Sequence, residues 1–174
     1  MAAGGATGSC RGEACEQRGR RAEDAEAPMH EIVPGLFLGC EEAALNWDAL
    51  HERGVRAIVN CAAEIPSPFG SRGVAYLAPD LDDHRSEHLA RVFAEASAFI
   101  EAARSRGEAV LVHCFEGRSR SAAAVVAHLM LSHHLTYDNA LEVVQTRRPL
   151  VRERPPSRWF LDRLRALDAQ PSGR

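Results

Sequence analysis

The segment that most constrains the fold is the nine-residue run HCFEGRSRS at positions 113–121, which lies between a strand-like stretch and a helical one. Apolar residues 109–112 precede it directly, and a run rich in Ala and Val follows it. A loop that enters a helix N-terminus leaves backbone N–H groups without partners, and together with the helix dipole these groups form an anion site. The sequence therefore predicts a strand, a short anion-binding loop and a helix in direct succession.

Several side chains of this loop suit chemistry on a bound phosphate. Cys114 and Arg120 are six residues apart with Gly117 between them, so a tight turn can bring the thiol and the guanidinium to one small anion. A thiol beside a helix N-terminus and a cation ionises more readily and becomes a nucleophile. The planar guanidinium can hold two phosphate oxygens at once. We expect Ser121 to place its hydroxyl near the sulfur, and His113 to orient the loop.

The run resembles the signature of the cysteine-dependent protein phosphatases: His-Cys, five residues, Arg, then Ser or Thr. With Gly three residues after the Cys and Ser after the Arg, it is similar to the dual-specificity branch. The segments PGLFLG, AIVNCAAE and VAYLA extend the resemblance along the chain. The resemblance implies a cysteine-dependent phosphatase that hydrolyses phosphotyrosine and phosphoserine or phosphothreonine in proteins, through a cysteinyl-phosphate intermediate and without a metal or other cofactor.

The resemblance also assigns roles within the loop. It implies that Cys114 is the nucleophile, that Arg120 holds the phosphate oxygens and that Ser121 assists departure of the thiolate. The outward-facing side chains of Glu116 and Arg118 are expected to shape substrate choice. The substrate-binding residues implied in this way are Phe115, Glu116, Gly117, Arg118, Ser119 and Arg120.

A phosphate ester also needs a general acid to protonate its leaving oxygen. The acidic loop offers Asp80, Asp82 and Asp83, and in the family the acid lies six residues before a helix Leu and ten before a helix Phe. Asp83 meets both spacings, through Leu89 and Phe93, and Asp82 is the next candidate. The alternative is a solvated acidic loop before a helix, where carboxylates are favourable in any case.

The order of elements predicts an α/β fold: a mostly parallel central sheet flanked by helices, protein tyrosine phosphatase-like, in a single domain. A hairpin broken by Pro34-Gly35 should begin it. Strands are expected at 56–61, 74–78 and 109–112. Helices are expected at 41–53, 87–106, 119–133 and 136–147, the last of these capped by Thr136 and ended by Pro149, with a final helix capped by Ser157.

Composition bounds the remaining possibilities. The chain has 174 residues and a formal net charge of -3, and it has no apolar run that would span a membrane, so we expect no nucleic-acid or membrane partner. Five cysteines without a C-x-x-C pair favour a reducing compartment. With no secretory signal, and Ala2 in place of the glycine needed for myristoylation, we expect a cytoplasmic or nuclear protein.

Domain bounds follow from the same patterns. Residues 1–28 hold few large apolar side chains and are predicted to form a disordered tail, with the catalytic domain at 29–168 and a short tail at 169–174. The resemblance implies a small, atypical member of the family. It also implies that Cys61, predicted to end a strand beside the site, can form a disulfide with Cys114 under oxidation, the alternative being a small core residue.

Several questions stay open at this level. The substrate is expected to be a phosphorylated protein, with protein kinases among the candidates, but an inositol lipid or phosphoglucan is the alternative. A catalytically silent phosphoresidue-binding module is the rival from another class. His84 with His88, and His133 with His134, lack a third ligand in the sequence pattern and are interpreted as surface histidines, not a metal site. The oligomeric state is not determined by the sequence.

Overall fold

The computed structural model describes residues 28–81 and 88–169. The predicted disordered tail therefore falls outside the described residues, except for Pro28. The C-terminal tail also lies outside them, except for Ala169. The acidic-loop residues Asp82 and Asp83 are outside them as well, together with His84 and Ser86.

The described residues form a five-stranded mixed sheet in the order β1-β2-β5-β3-β4. Its strands are β1 Met29–Val33, β2 Leu36–Gly39, β3 Val55–Asn60, β4 Ala75–Leu77 and β5 Ala109–His113. The β1–β2 hairpin is antiparallel, and the pairs β2–β5, β5–β3 and β3–β4 are parallel. Gly35 turns the predicted hairpin with φ +78°, and its N–H donates to the Glu31 carboxylate at 2.8 Å. The predicted mostly parallel sheet is confirmed.

Seven α-helices surround the sheet within the described ranges. They are α1 Glu41–Leu45, α2 Trp47–Glu52, α3 Leu89–Ser105, α4 Arg120–His133, α5 Tyr137–Arg147, α6 Pro149–Glu153 and α7 Arg158–Asp168. In the parts of the chain covered by the structure, none of them has the length and apolar character needed to cross a bilayer.

Alternation along the central strand β5 divides the core between two faces. Val110 and Val112 pack into the larger core with α3, α4, α5 and α7, whereas Ala109 and Leu111 belong to the smaller core beneath α1 and α2. Every residue of β5 is buried, which is expected for a central parallel strand covered on both faces. Helix α4 is buried from Ser121 to Met130, so both elements that flank the HCFEGRSRS loop are packed into the core.

Two parts of the helix prediction are wrong. The helix expected at 41–53 is broken at Asn46, whose backbone is extended (φ -93°, ψ 93°) and whose side chain accepts a hydrogen bond from the Ala49 N–H at 3.1 Å. Asparagine competes well for helix N-cap positions, so a new helix begins at Trp47. One consequence is that Leu45, the last residue of α1, is 42% exposed.

The C-terminal region differs from prediction in a similar way. Thr136 caps α5 as predicted, accepting from the Asn139 N–H at 3.4 Å. Pro149 does not only end this helix: it starts α6, because proline is well suited to the first turn of a helix. Ser157 stands at the N-cap of α7, but its side chain makes no capping hydrogen bond.

The sheet register places three chain segments side by side. Gly39 and Asn60 are both paired with His113, so the carboxyl ends of β2, β3 and β5 lie at one edge of the sheet. Ligands of parallel α/β sheets bind at this edge. Cys40, Cys61 and Cys114 each follow one of these strand ends directly.

Candidate active site

The loop from Cys114 to Ser119 joins the end of β5 to the start of α4. Cys114 is only 3% exposed, and its Sγ lies 3.0 Å from the Ser121 Oγ in the first turn of α4. Ser121 is completely buried. The predicted proximity of the thiol and this hydroxyl is therefore present in the fold.

Two opposing effects act on ionisation of the Cys114 thiol. Burial is the largest single effect and favours the neutral thiol. Hydrogen bonds from the Ser121 side chain and from the backbone N–H groups of Ser121, Gly117 and Arg118 favour the thiolate, and together they lower the pKa of Cys114 below its ordinary value of 9.0. A thiol with a lowered pKa in a loop of inward-facing donors is chemically suited to act as a nucleophile.

Three consecutive carbonyls of the loop have partners elsewhere in the fold. The Phe115 carbonyl accepts from the Glu41 N–H at 3.1 Å. The carbonyls of Glu116 and Gly117 accept from the Arg148 guanidinium, at 3.0 Å from Nη2 and 2.8 Å from Nε. Arg148 is only 3% exposed, and because it lies outside the signature, no motif in the sequence marks it as part of the site.

Gly117 is required where the loop passes β2. Its backbone has φ +69°, which side-chain-bearing residues rarely adopt. A Cβ at this position would also overlap the Gly39 carbonyl and approach Arg148 Nη2 to 2.9 Å. The expected close approach of the loop backbone is therefore a contact between Gly117 and β2.

Arg120 begins α4 and faces the open side of the site. Its Nη1 lies 3.2 Å from the Glu64 carboxylate, and its guanidinium carbon is 5.4 Å from the centre of the Phe115 ring. Glu64 is 53% exposed, and ion pairs at such positions are weak and screened by solvent. A phosphate can therefore compete with Glu64 for the arginine. Glu64 is the last residue of the AIVNCAAE segment. Its position shortly after β3 is the one feature of the sequence that points to a contact with Arg120.

Two neighbouring clefts share Arg120. One, of about 340 Å³, contains the loop. It is lined by Cys114, Phe115, Glu116, Arg118, Ser119, Arg120, Pro155 and Ser157. The other, of about 400 Å³, is lined by residues that include Cys61, Glu64, Asp80 and Leu81. The guanidinium thus lies where the loop cleft meets the cleft bordered by the start of the acidic loop.

The rim of the loop cleft carries a small charge network. Glu116 pairs with Arg118 at 2.9 Å and with Arg154 at 2.9 Å. Glu116 is 48% exposed, so these pairs are solvent-accessible and the side chains face outward, as expected. Ser119 uses its Oγ to accept a hydrogen bond from the Ser157 N–H at 3.2 Å, which ties the loop to the start of α7.

His113 ends β5 directly before Cys114, and its expected role in orienting the loop stays a prediction. The ring is 1% exposed, and neither nitrogen has a hydrogen-bond partner among the described residues. Its backbone carbonyl accepts from the Cys61 N–H at 2.8 Å and so joins the ends of β5 and β3. Burial lowers the pKa of His113 to about 4, against a smaller opposing effect of the Cys114 backbone.

We expect the free energy of unfolding to fall as the pH is lowered from about 6.5 to about 4. Burial, aided by His133 and Arg104, also lowers the pKa of the fully buried His128 to about 4. Between these pH values the unfolded chain binds protons that the folded chain does not, so each of the two histidines costs up to about 3 kcal/mol at the acid end.

Urea denaturation at a series of pH values measures this effect. His128→Gln should remove roughly half of the additional acid sensitivity, whereas the same change at the exposed His51 should leave it unaltered. An unchanged pH slope in His128→Gln would show that this histidine does not contribute.

The general acid predicted for the site is not within the described residues. Asp83 and its alternative Asp82 both lie in the undescribed segment, and the role of Asp83 stays a prediction. Asp80 is described, is exposed and lines the cleft next to Arg120.

His133 and His134 are both exposed, in agreement with their interpretation as surface histidines, although the sequence pattern did not reveal the neighbours of His133. His133 does have potential co-ligands, since its ring nitrogen, that of His128 and a Glu101 carboxylate oxygen lie within 4.8 Å of one another. The Arg104 Nη1, however, lies 3.3 Å from both Glu101 Oε1 and His133 Nε2. A cationic side chain therefore already neutralises this cluster. His88 is exposed, as interpreted, whereas His84 lies outside the described residues.

Comparisons with known proteins bear on the same loop and sheet. The family model "Dual specificity phosphatase, catalytic domain" matches residues 36–165. The chain belongs to this family. The match begins at β2, includes the whole HCFEGRSRS loop and ends within α7. A dual-specificity phosphatase domain is a hydrolase of phosphate esters, in agreement with the sequence interpretation.

Individual relatives support this assignment. Human dual specificity protein phosphatase 6 is 38% identical over 119 residues, which cover 68% of this chain and 31% of that protein. Dual specificity protein phosphatase 26 of Pongo abelii is 36% identical over 143 residues, covering 79% of this chain and 66% of that protein. The chain thus spans about a third of the length of the first of these relatives.

Solved structures share the fold. The crystal structure of human DUSP28 superposes with a TM-score of 0.73 at 34% identity and covers 81% of this chain and 93% of that one. PTPMT1 superposes with a TM-score of 0.67 at 20% identity, covering 80% of this chain and 93% of that one, which shows likeness of fold alone. The predicted protein tyrosine phosphatase-like fold is confirmed.

Proposed function

We propose that this domain removes phosphate from phosphotyrosine and from phosphoserine or phosphothreonine in proteins. The observation that carries the proposal is the Cys114 thiol, buried at the end of β5, 3.0 Å from the Ser121 hydroxyl and with a pKa lowered by the loop N–H groups. Membership of the dual-specificity phosphatase family supports the reaction class.

In the first step, the Cys114 thiolate attacks phosphorus in line with the ester bond. A new S–P bond forms as the P–O bond to the amino-acid side chain breaks, and protonated Asp83 gives its proton to the departing oxygen. Arg120 and the loop N–H groups bind the equatorial phosphate oxygens as charge redistributes over them. The products of this step are the free side-chain alcohol or phenol and a cysteinyl-phosphate.

In the second step, water attacks the cysteinyl-phosphate. The Asp83 carboxylate accepts a proton from the water as the new P–O bond forms and the S–P bond breaks. The leaving thiolate receives the hydrogen bond of Ser121, which is already in place at 3.0 Å. Inorganic phosphate is released, and Asp83 is protonated again for the next cycle.

The charges around the loop cleft favour a substrate with one phosphate to bind. Arg118 and Arg154 are both paired with Glu116, and Arg120 is the cation that faces both clefts. Clefts that take highly charged lipid headgroups or nucleic acids concentrate unpaired cations. A phosphorylated side chain on a protein fits this distribution of charges best. A protein kinase is among the candidate partners. A cytoplasmic or nuclear location is proposed together with this substrate.

The test is phosphate release from a peptide that carries both phosphothreonine and phosphotyrosine, measured in EDTA. We expect both phosphates to be lost without added metal. Phosphorylated inositol lipid and phosphoglucan are assayed in parallel. Preference for either over the peptide by tenfold or more in kcat/KM would overturn the protein substrate, and silence on every ester would favour the binding module.

We expect Asp83→Asn to slow the reaction on alkyl phosphates by about 10² to 10⁴-fold, because the leaving oxygen then departs without a proton. An activated aryl phosphate, whose leaving group needs little protonation, should be affected much less. Asp82→Asn and Asp80→Asn are the matched controls, since both carry the same change in the same acidic loop. A larger loss in Asp82→Asn than in Asp83→Asn would transfer the role to Asp82.

A further inference from the structure

Arg148 is a buried cation with an unusual set of partners. It follows α5 directly and is 3% exposed. Its Nε and Nη2 donate to the carbonyls of Gly117 and Glu116 at 2.8 and 3.0 Å, and its Nη1 lies 2.7 Å from the His30 Nδ1 on β1. Burial of a charge is costly, so these contacts have to compensate for lost hydration.

Peptide planarity connects these contacts to the other side of the loop. In a trans peptide unit the C=O and the following N–H point in opposite directions. The Glu116 carbonyl shares its unit with the Gly117 N–H, and the Gly117 carbonyl shares its unit with the Arg118 N–H. Holding these two carbonyls on the outside of the loop therefore turns these two N–H groups inward.

The inward N–H groups are those that act on the nucleophile. Backbone hydrogen bonds from Gly117 and Arg118 contribute to the lowered pKa of Cys114. Both peptide units also flank Gly117, whose lack of a side chain leaves the rotation of these planes least restricted. Arg148 thus contacts the two units of the loop that most need an external restraint.

We propose that Arg148 is a positioning residue: its guanidinium holds the Glu116 and Gly117 carbonyls outward, so that the Gly117 and Arg118 N–H groups face the Cys114 sulfur and the phosphate that it attacks. The inference deepens the proposed function and rests on it for the phosphate. His30 acts as the support, since its Nδ1 accepts from the arginine and limits movement of the guanidinium.

Substitutions at position 148 can separate the effect of the two fixed guanidinium donors from the effect of the positive charge. Arg148→Lys keeps a positive charge but cannot place two fixed donors on adjacent carbonyls, whereas Arg148→Met removes both features. Arg147→Met is the matched control, because it makes the same change at the exposed neighbouring arginine. The groups that face Cys114 are left intact in all three variants: Cys61 after β3, and Arg120 and Ser121 in α4.

The experiment measures alkylation of Cys114 by iodoacetamide as a function of pH, with each cysteine quantified separately by peptide mass spectrometry. It requires no phosphate ester, so it can succeed or fail independently of the proposed activity. We expect the apparent pKa of Cys114 to rise by about one unit or more in both Arg148→Lys and Arg148→Met, equivalent to a tenfold or greater loss of thiolate at low pH. Arg147→Met should match the wild type, and Cys40 serves as an internal reference.

Three results would overturn the inference. An unchanged Cys114 pKa in both Arg148 variants would leave the arginine a purely structural residue, even if their melting temperatures fell. If the Cys114 pKa were that of the wild type in Arg148→Lys but raised in Arg148→Met, the effect would come from the positive charge and not from the placement of the two donors. A shift as large in Arg147→Met would show that it is not specific to position 148.

A gentler pair of variants covers the case in which Arg148 substitutions do not fold. His30→Asn keeps an acceptor near the place of Nδ1 and should leave the Cys114 profile close to that of the wild type. His30→Leu removes the acceptor and should raise the pKa in the direction of the Arg148 variants. If Cys114 had the same pH profile of alkylation in His30→Asn and His30→Leu, the supporting role of His30 would be contradicted. If the Arg148 variants also failed to fold, the same result would contradict the positioning role of Arg148.

Discussion

Replacement of Cys114 by serine is expected to abolish turnover while phosphate binding is retained. The substitution changes one buried atom and leaves the loop N–H groups and Arg120 in place. A serine hydroxyl is hardly ionised at neutral pH, and the Glu116 carboxylate of the loop is paired with Arg118 and Arg154 at the outer rim, so we expect a loss of at least about 10⁴-fold in kcat. Binding of inorganic phosphate or vanadate, followed by calorimetry, should persist.

Cys40→Ser is the control for this prediction. Cys40 follows β2 at the same edge of the sheet but is not among the residues that line the loop cleft. It should retain near-normal turnover. Turnover by Cys114→Ser within tenfold of the wild type would exclude Cys114 as the nucleophile, whatever the result for Cys40.

The second large effect is expected for Arg120→Lys. Lysine keeps the positive charge but cannot bind two equatorial oxygens in one plane, and it cannot follow them as the phosphoryl group moves from oxygen to sulfur. We expect kcat/KM to fall by about 10³-fold or more, as for other arginines that stabilise phosphoryl transfer. Steady-state kinetics on the diphosphorylated peptide measures the loss.

Arg158→Lys provides the matched substitution. Arg158 opens α7 and its side chain is 92% exposed, so exchange for lysine should alter kcat/KM by less than about twofold. If Arg120→Lys proved equally mild, the arginine would be acting only as a diffuse positive charge and not as a bidentate ligand.

The parts of this fold that the sequence predicts well are those with local causes. The apolar run at 109–112 becomes the buried strand β5, and the periodic apolar positions after Leu89 become α3. Gly54 and Gly107 end helices because each adopts a positive φ, at +68° and +76°. The order of strand, loop and helix around Cys114 follows from a motif of nine adjacent residues.

The parts that escape prediction depend on contacts between distant residues. Arg148 lies 32 residues from Glu116 and 118 from His30, and no periodicity or spacing marks it as part of the loop. Glu64 is 56 residues from Arg120, and its contact depends on the parallel pairing of β3 with β5. The helix break at Asn46 has a local cause, the capping side chain of Asn46 itself. It was not predicted because the apolar pattern on both sides of Asn46 is typical of one continuous helix.

Two of the outward-facing carbonyls of the loop depend on a residue that is synthesised after the whole signature. A nascent chain that has reached α4 already carries Cys114, Arg120 and Ser121, but two of the three outer carbonyls still lack the donor that comes with Arg148. Until residue 148 has been added to the chain, this donor is absent, whatever part of the domain has already folded. A reactive thiolate would then develop only once the domain is essentially complete, and fragments that end before residue 148 would contain the whole signature without its working geometry.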